Sequence, residues 1–267
     1  MEQTIKHLHG IIFVFLITSC ASTPSLRDIS LQYDLLWAPV ETSGFTLHAI
    51  AKPLAKPVDD LHIYIGGDGT PWQDNKPTAN PTGRRNLTID LLLADSTPAI
   101  YLTRPCYQLI HMPPECHSEL WTSARYSEPV VLAMADAITQ LVDKWNPDSF
   151  TLIGYSGGGV LALLAAAQIE PQPRVITVAS NLDTKAWTEF HGHLPLSESS
   201  NPLLAIHKSG GAGHTHLIGG KDKVVPPSTV ESYRSAHPLA TYRYFEDFDH
   251  QCCWAAHWRE ILRESTL

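Results

Sequence analysis

The sequence has few positive charges, and no segment in which they cluster. Lysine and arginine total 19 residues against 27 for aspartate and glutamate, which gives a formal net charge of −8. Proteins that bind nucleic acids use clustered Lys and Arg side chains to neutralise phosphates. The composition therefore argues against a nucleic acid as a partner.

The sequence also has no internal repeat and no low-complexity segment. Its 267 residues are enough for one α/β domain with a substantial core, but too few for two comfortable ones. The apolar fraction of 43% and the charged fraction of 17% are those of a folded globular protein. We expect one folded domain over residues 41–267.

The apolar run at residues 11–17 is too short to span a bilayer in a mature protein. It leads into Ile-Thr-Ser-Cys at residues 17–20, which resembles a bacterial lipobox. The resemblance implies export, a diacylglycerol on Cys20 and anchoring to a membrane, and Ala21 implies the outer membrane. The alternative is a plain signal peptide that is cut nearby, with Cys20 incidental. We expect a lipoprotein signal peptide over residues 1–19 and a tether and N-terminal segment over 20–40.

Cysteine is scarce, and no two cysteines have the C-x-x-C spacing of a metal site. Beyond Cys20 there are four, Cys106, Cys116, Cys252 and Cys253, and an even number in an exported protein suggests disulfides. Three full pairings are possible, and the sequence does not choose among them. We favour Cys106–Cys116, which closes a short loop, while one of the other two could instead bond to the loop that holds Cys106.

Histidine pairs at residues 191 and 193 and at residues 214 and 216 could each place two rings on one face, as a zinc site does. Neither pair has a third ligand nearby in the sequence. We therefore expect no metal and no other cofactor.

Strand-like and helix-like segments alternate along the chain. Strands are predicted at residues 45–51, 61–65, 98–103, 149–153, 175–179, 216–218 and 242–245. Helices are predicted at residues 86–94, 160–167, 228–236 and 254–262, and a further helix is predicted to begin after Ser127, which we expect to cap it. Such alternation predicts a mostly parallel sheet with helices on both faces.

Residues 154–158 read Gly-Tyr-Ser-Gly-Gly, a G-x-S-x-G pattern between a predicted strand and a predicted helix. In this context the serine occupies a tight, strained turn that holds its hydroxyl clear of the sheet, and glycines avoid collisions on either side. The helix that follows directs its free N–H groups towards an anion at the serine. We interpret Ser156 as a nucleophile, although glycine clusters also serve ordinary turns.

Two later strand ends carry an acid and a histidine. Asp222 follows a strand and a glycine turn, and His250 follows the last predicted strand. The order Ser156, Asp222, His250 resembles the α/β-hydrolase fold, and the match covers residues 45–265. The resemblance implies that His250 is the base and Asp222 its orienting acid. Asp183, which also follows a strand, is a rival acid.

Acyl transfer also needs hydrogen-bond donors for the oxyanion. One is the backbone N–H of Gly157, directly after the nucleophile. The second is expected from the glycine-rich loop at residues 66–69, where Asp68 stands at the donor position of a His-Gly-x-Pro type loop and Gly69 is the alternative. Because a carboxylate beside a developing oxyanion raises the barrier, we expect the Asp68 side chain to turn away, towards Arg104 or a cationic part of the substrate.

Several segments together resemble a bacterial family of exported, mostly uncharacterised α/β-hydrolase lipoproteins. These are residues 67–72, 104–106, 121–126, 154–159 and 249–254. Residues 180–213 are too few for a large lid domain. We therefore expect a monomeric serine hydrolase that cleaves a small-molecule ester or related acyl substrate through an acyl-enzyme. The alternative is a catalytically inactive, hydrolase-fold binding lipoprotein of the cell envelope.

Overall fold

The computed structural model describes residues 24–83, 87–205, 211 and 213–265. The predicted signal peptide and Cys20 lie outside the described residues. Within the described part, no helix combines the length and the apolar character that crossing a bilayer requires.

One sheet dominates the described part of the chain. Its strands are β1 (Leu36–Thr42), β2 (Phe45–Ala51), β3 (Asp60–Ile65), β6 (Ala99–Leu102), β7 (Ser149–Tyr155), β8 (Arg174–Val178), β9 (His214–Gly219) and β10 (Thr241–Phe245), and a separate small hairpin is formed by β4 (Trp72–Gln73) and β5 (Lys76–Pro77). The order across the sheet is β1-β2-β6-β3-β7-β8-β9-β10. Strand β2 is antiparallel to both of its neighbours. The next six strands across the sheet, which are β6, β3, β7, β8, β9 and β10, are parallel to one another. The prediction of a mostly parallel sheet is confirmed.

Helices cover both faces of this sheet. They are α1 (Leu26–Gln32), α2 (Leu87–Ala94), α3 (Glu128–Trp145), α4 (Gly157–Ala166), α5 (Thr184–His191), α6 (Glu231–Ala236) and α7 (Trp254–Ser265). Alternate strand residues point to opposite faces, so Leu152 of β7 packs in the cluster with α3 and α4, whereas Ile153 packs in the cluster with α2 and α7. The sheet is therefore buried on both sides, which explains its nearly continuous apolar strands.

Helix α3 begins where the sequence predicts, but not by the predicted contact. Ser127 occupies the N-cap position and a proline lies in the first turn, yet the Ser127 side chain makes no cap hydrogen bond. The helix is held by a stripe of buried apolar residues, which includes Met134 and Ile138. It ends at Asn146, whose left-handed backbone (φ 48°) closes the last turn.

The sheet begins before residue 41. Strand β1 pairs with β2 from Leu36 opposite Ala51 to Thr42 opposite Phe45, so residues 36–40, which we assigned to the N-terminal segment, are part of the sheet. Helix α1 also lies within that segment and buries Leu26. Strand β1 lacks a clear apolar pattern, because Val40 is the one buried residue of the strand while Leu36 and Trp37 are exposed.

Candidate active site

Ser156 lies between β7 and α4 with φ 52° and ψ −125°, a conformation that costs a non-glycine residue energy. The turn is tight enough to exclude side chains at both neighbouring glycine positions of the motif. A Cβ at Gly154 would lie 2.3 Å from the Gly158 carbonyl oxygen, and a Cβ at Gly158 would lie 2.2 Å from the Ile65 carbonyl oxygen. The G-x-S-x-G pattern is therefore explained by contacts between β7, α4 and the end of β3.

His250 and Asp222 contact each other at the ends of β10 and β9. The His250 Nδ1 atom lies 2.8 Å from Asp222 Oδ2. The other carboxylate oxygen, Oδ1, accepts the backbone N–H groups of Val224 and Val225 at 2.8 Å each. Since a carboxylate accepts hydrogen bonds, His250 donates from Nδ1, and Nε2 is left to accept a proton.

Asp183, the rival acid, is engaged elsewhere. It caps α5 by accepting the backbone N–H groups of Lys185 and Ala186. Its carboxylate also accepts hydrogen bonds from Asn201 and Ser232. The structure thus places Asp222, and not Asp183, beside His250.

Ser156 and His250 line one cavity of about 1390 Å³. The ring of Tyr155 lies 5.1 Å from the ring of His250 and forms part of the same wall. Among the described residues, the Ser156 hydroxyl makes no side-chain hydrogen bond, so the contact between serine and histidine stays a prediction.

The glycine-rich loop lies directly against the serine. A Cβ at Gly67 would lie 3.2 Å from Ser156 Cβ. Gly157 is the first residue of α4, where backbone N–H groups have no partner within the helix. The Tyr107 hydroxyl donates to the Asp68 carbonyl at 3.0 Å and fixes that peptide. The backbone donors predicted for the oxyanion, Gly157 and Asp68, are therefore next to Ser156, while their role stays a prediction.

The Asp68 carboxylate turns to Arg104, as we expected from the sequence. It also contacts two groups that the sequence did not suggest: Arg125 Nη1 lies 2.8 Å and the Tyr126 hydroxyl 2.6 Å from Asp68 Oδ2. Burial alone would raise the pKa of Asp68, but Arg104 and Arg125 outweigh it and hold that pKa well below its usual range. Asp68 is therefore a permanent anion.

No local pattern points to this group, because Arg104, Arg125 and Tyr126 are distant from Asp68 in the sequence. They were noted only within segments that resemble those of a known family. The pairing of β3 with β6 brings the segments that hold Asp68 and Arg104 together, and the segment before α3 adds Arg125 and Tyr126.

Two disulfides lie near these residues. Cys106–Cys116 matches the pairing that we favoured, and Cys106 is buried. The second joins Cys252 to Cys253, directly after the His250 loop. In that loop Asp249 Oδ1 accepts the backbone N–H groups of Gln251 at 2.8 Å and Cys252 at 2.7 Å.

The histidine pairs have other partners. The rings of His191 and His193 stack at 5.1 Å, and His191 Nε2 lies 2.8 Å from the Val224 carbonyl oxygen. The His216 Nδ1 atom lies 2.8 Å from the Thr177 hydroxyl. In the part of the chain that the structure describes, no three His, Cys, Asp or Glu residues are grouped as metal ligands.

Neither a family model nor a curated protein matches this sequence. Solved structures do match it. A serine hydrolase without a lid from Xanthomonas campestris superposes with a TM-score of 0.53 at 14% identity, over 86% of this chain and 94% of the other. An esterase from Pyrococcus furiosus superposes with a TM-score of 0.60 at 12% identity, over 88% and 92% of the two chains.

The protein has the α/β-hydrolase fold. A serine hydrolase homologue from Coxiella burnetii gives the same result, with a TM-score of 0.55 at 13% identity over 86% of this chain and 95% of the other. The Xanthomonas protein has no lid, and the described part of residues 180–213 in this chain forms no large lid domain. It holds α5 and a single 3-10 turn, Pro202–Leu204. At these identities the likeness shows the fold alone.

Proposed function

We propose that this protein is a serine hydrolase that cleaves a carboxylic ester, with Ser156 as nucleophile, His250 as base and Asp222 as the acid that orients the base. The observation that carries the proposal is the 2.8 Å hydrogen bond between His250 and a buried Asp222, on the cavity that Ser156 also lines. The strained backbone of Ser156 supports it, because such strain is stable only where the surrounding structure imposes it.

In the first step the Ser156 hydroxyl oxygen bonds to the ester carbonyl carbon, and His250 Nε2 takes the hydroxyl proton. Asp222 stabilises the imidazolium that forms and keeps the ring in one orientation. The tetrahedral intermediate then collapses, the ester C–O bond breaks and the proton passes from His250 to the departing alkoxide, which leaves an acyl-enzyme. A water molecule then attacks the carbonyl carbon of the acyl-enzyme, and His250 takes its proton. The second tetrahedral intermediate collapses, the bond to the Ser156 oxygen breaks, and that oxygen regains the proton from His250 as the carboxylic acid leaves.

The negative oxygen of each intermediate needs donors that are already in place. The backbone N–H groups of Gly157 and Asp68 are the candidates, since both residues border Ser156. Because Asp68 turns its carboxylate to Arg104 and Arg125, its peptide N–H can serve without an unpaired negative charge beside the oxyanion.

The cavity wall favours an organic acyl group over a small inorganic one. Apolar residues of the wall include Trp72, Leu87, Trp187, Leu194 and Leu196. An acyl chain that packs on these side chains would gain free energy from burial. A serine with a histidine base can also attack thioesters, amides and lactones. The assay therefore begins with esters and is then extended to the other three substrate classes.

The test uses the soluble chain from Ala21 onward, treated with a fluorophosphonate probe, and compares it with Ser156→Ala. We expect covalent labelling that disappears in the variant, together with turnover of p-nitrophenyl esters. A well-folded wild type with neither labelling nor turnover would contradict the proposal. It would favour the alternative of an inactive binding protein, which would then be searched for a ligand of the same cavity.

We also propose that export and a lipid on Cys20 anchor the enzyme to the bacterial envelope, in the outer membrane. The support is the lipobox-like sequence at residues 17–20. In bacteria that express the full chain, we expect incorporation of a tagged palmitate and recovery in the membrane fraction, with both lost in Cys20→Ala. Recovery of the wild-type protein in the soluble periplasmic fraction would contradict the lipid anchor without affecting the hydrolase proposal.

A further inference from the structure

The group around Asp68 carries an excess positive charge. The guanidinium groups of Arg104 and Arg125 both contact this one carboxylate. Among the described residues, no second carboxylate contacts either of them. Burial raises the pKa of Tyr126 above its usual value, so this hydroxyl stays protonated and adds no negative charge. Two cations and one anion leave a net charge of about +1 in this group.

The excess charge belongs to Arg125 more than to Arg104. Arg104 lies over the rings of Tyr107 at 4.7 Å and Tyr126 at 5.6 Å, and it donates to the Arg125 carbonyl oxygen at 3.2 Å. Arg104 leaves its Nε without a hydrogen-bond partner, but that atom is buried. Arg125 also makes two hydrogen bonds, from Nη1 to Asp68 and from Nε to the Thr122 carbonyl oxygen at 2.8 Å, and its Nη2 has no hydrogen-bond partner among the described residues. Yet Arg125 is only 4% exposed. A buried charge without a full set of partners is costly.

Arg125 also lines the cavity, whereas Arg104 does not. Of the described residues in the cavity wall, Arg125 is the single arginine or lysine. The acidic wall residues do not offset it, because Asp68 is already shared and Glu119 is a half-exposed residue paired with His117. The group of Asp68, Arg104 and Arg125 therefore places a net positive charge at and directly behind this part of the wall, although the whole chain has a net charge of −8.

Arg125 is also close to the reacting centre. A Cβ at Gly157 would lie 2.0 Å from Asp68 Oδ1, and Arg125 contacts the other oxygen of that carboxylate. One carboxylate group thus separates Arg125 from the residue after the nucleophile. A negative group on a bound ester can reach Arg125 while its carbonyl lies at Ser156.

We propose that the substrate is an acyl ester with one free carboxylate, and that this carboxylate binds Arg125 in the cavity. The inference rests on the hydrolase function proposed above and specifies its substrate class. A single carboxylate matches the excess charge, and the planar guanidinium group suits its two oxygens. The bound ester supplies the partner that Arg125 lacks.

The experiment compares two esters that differ in one charge: the mono-p-nitrophenyl ester of adipic acid and its methyl-capped counterpart. In wild type we expect kcat/KM to be about tenfold or more higher for the charged ester, the size of one charge-assisted hydrogen bond. Arg125→Met should abolish this preference, and Arg125→Lys should retain part of it. Because each variant is scored by the ratio of its two esters, a loss common to both cancels.

A second measurement needs no variant. Monomethyl adipate should inhibit the wild-type enzyme competitively and more strongly than dimethyl adipate. Equal turnover of the two esters by an active wild type, or a preference that survives in Arg125→Met, would overturn the inference and leave the hydrolase proposal standing. Absence of both fluorophosphonate labelling and turnover would overturn the hydrolase proposal, and this inference with it.

Discussion

At the scale of the residue, Gly157 occupies space that admits no side chain. A Cβ there would lie 2.0 Å from Asp68 Oδ1 and 2.5 Å from the Tyr126 hydroxyl. The Asp68 carboxylate is held by Arg104 and Arg125 and cannot yield easily. The added methyl group must therefore displace either the turn or the loop that carries the proposed second oxyanion donor.

We accordingly expect Gly157→Ala to lower kcat by about a hundredfold or more, the cost of losing one oxyanion donor. Steady-state kinetics with a p-nitrophenyl ester measure this. The matched control is Gly44→Ala, outside the cavity wall, whose Cβ would meet nothing within 4 Å but whose φ is +91°, so it should reduce stability and leave kcat near wild type. Equal kcat values for the two variants would contradict the crowding at Gly157.

The roles of the two candidate acids can be separated by substitution. Asp222→Asn keeps the shape of the side chain but removes the carboxylate that fixes the His250 tautomer, so we expect kcat to fall by about a thousandfold or more. Asp183→Asn should weaken the cap of α5 instead, and kcat measured well below the unfolding temperature should stay near wild type. A larger loss of kcat in Asp183→Asn would reverse the assignment.

The sequence predicted residues whose chemistry depends on local context. Ser156 is marked by its neighbouring glycines, and Asp222 and His250 by their positions after strands. It could not predict that Arg125 and Tyr126 complete the group around Asp68, because their meeting depends on how distant segments pack. At Ser127 the local pattern predicted a contact that the structure does not form: the residue occupies the N-cap position, but its hydroxyl makes no cap hydrogen bond.

At the scale of the element, the Cys106–Cys116 disulfide restrains the segment that begins just after Arg104. The two cysteines are separated by 10 residues, and Cys106 is buried. Replacing both by alanine should lower the free energy of unfolding by about 2–3 kcal/mol, because the unfolded chain gains freedom. The change is measured by urea unfolding under non-reducing conditions.

The second disulfide provides the control for this experiment. Cys252 and Cys253 are adjacent, so their bond closes almost no chain, and replacing both by alanine should change the free energy of unfolding much less. A loss of stability that is equal in the two double variants would contradict an effect of loop closure.

The elements that the sequence predicted well are those with a strong apolar pattern. Strand β7 and helix α3 have continuous or periodic buried residues, and both appear near their predicted bounds. Strand β1 was not predicted, because the strand is at the edge of the sheet and most of its side chains are exposed. Helix α1 depends on a capping box between Ser25 and Asp28 more than on an apolar face.

At the scale of the whole molecule, a buried polar group links the central sheet to two helices. His62 Nδ1 of β3 lies 2.6 Å from Asp95 Oδ2, just after α2, and the Tyr64 hydroxyl donates to the same oxygen at 2.6 Å. Trp258 of α7 donates to the Tyr64 hydroxyl at 2.8 Å. Burial alone would lower the pKa of His62, but Asp60 and Asp95 outweigh it and raise that pKa to about 9.

This group predicts how stability depends on pH. Because the folded protein binds the His62 proton more tightly than the unfolded chain, its contribution is complete below about pH 6.5 and is lost as the pH rises through about 9. The loss should be on the order of 3 kcal/mol. Urea unfolding at a series of pH values measures it, and His62→Gln should flatten the alkaline decline. An equally steep decline in His62→Gln would assign the effect to other groups.

The order of the whole fold was predictable because strand and helix alternate along the chain and because parallel strands place their carboxyl ends at one edge. Ser156 and His250 therefore line the same cavity even though they follow different strands. The alternation of strands and helices does not predict the shape of that cavity, because loops build much of its wall, among them residues 66–72 and 192–197.

The short segment between β8 and β9 also affects how the protein would handle a poorly soluble ester. Because the described residues of this segment form no large lid domain that an oil–water interface would displace, we expect access to Ser156 not to depend on adsorption. The rate should then follow the concentration of dissolved ester monomers and should not jump at the concentration at which the ester forms micelles. A protein of this kind would act on single molecules that diffuse to it, and not on the surface of a droplet.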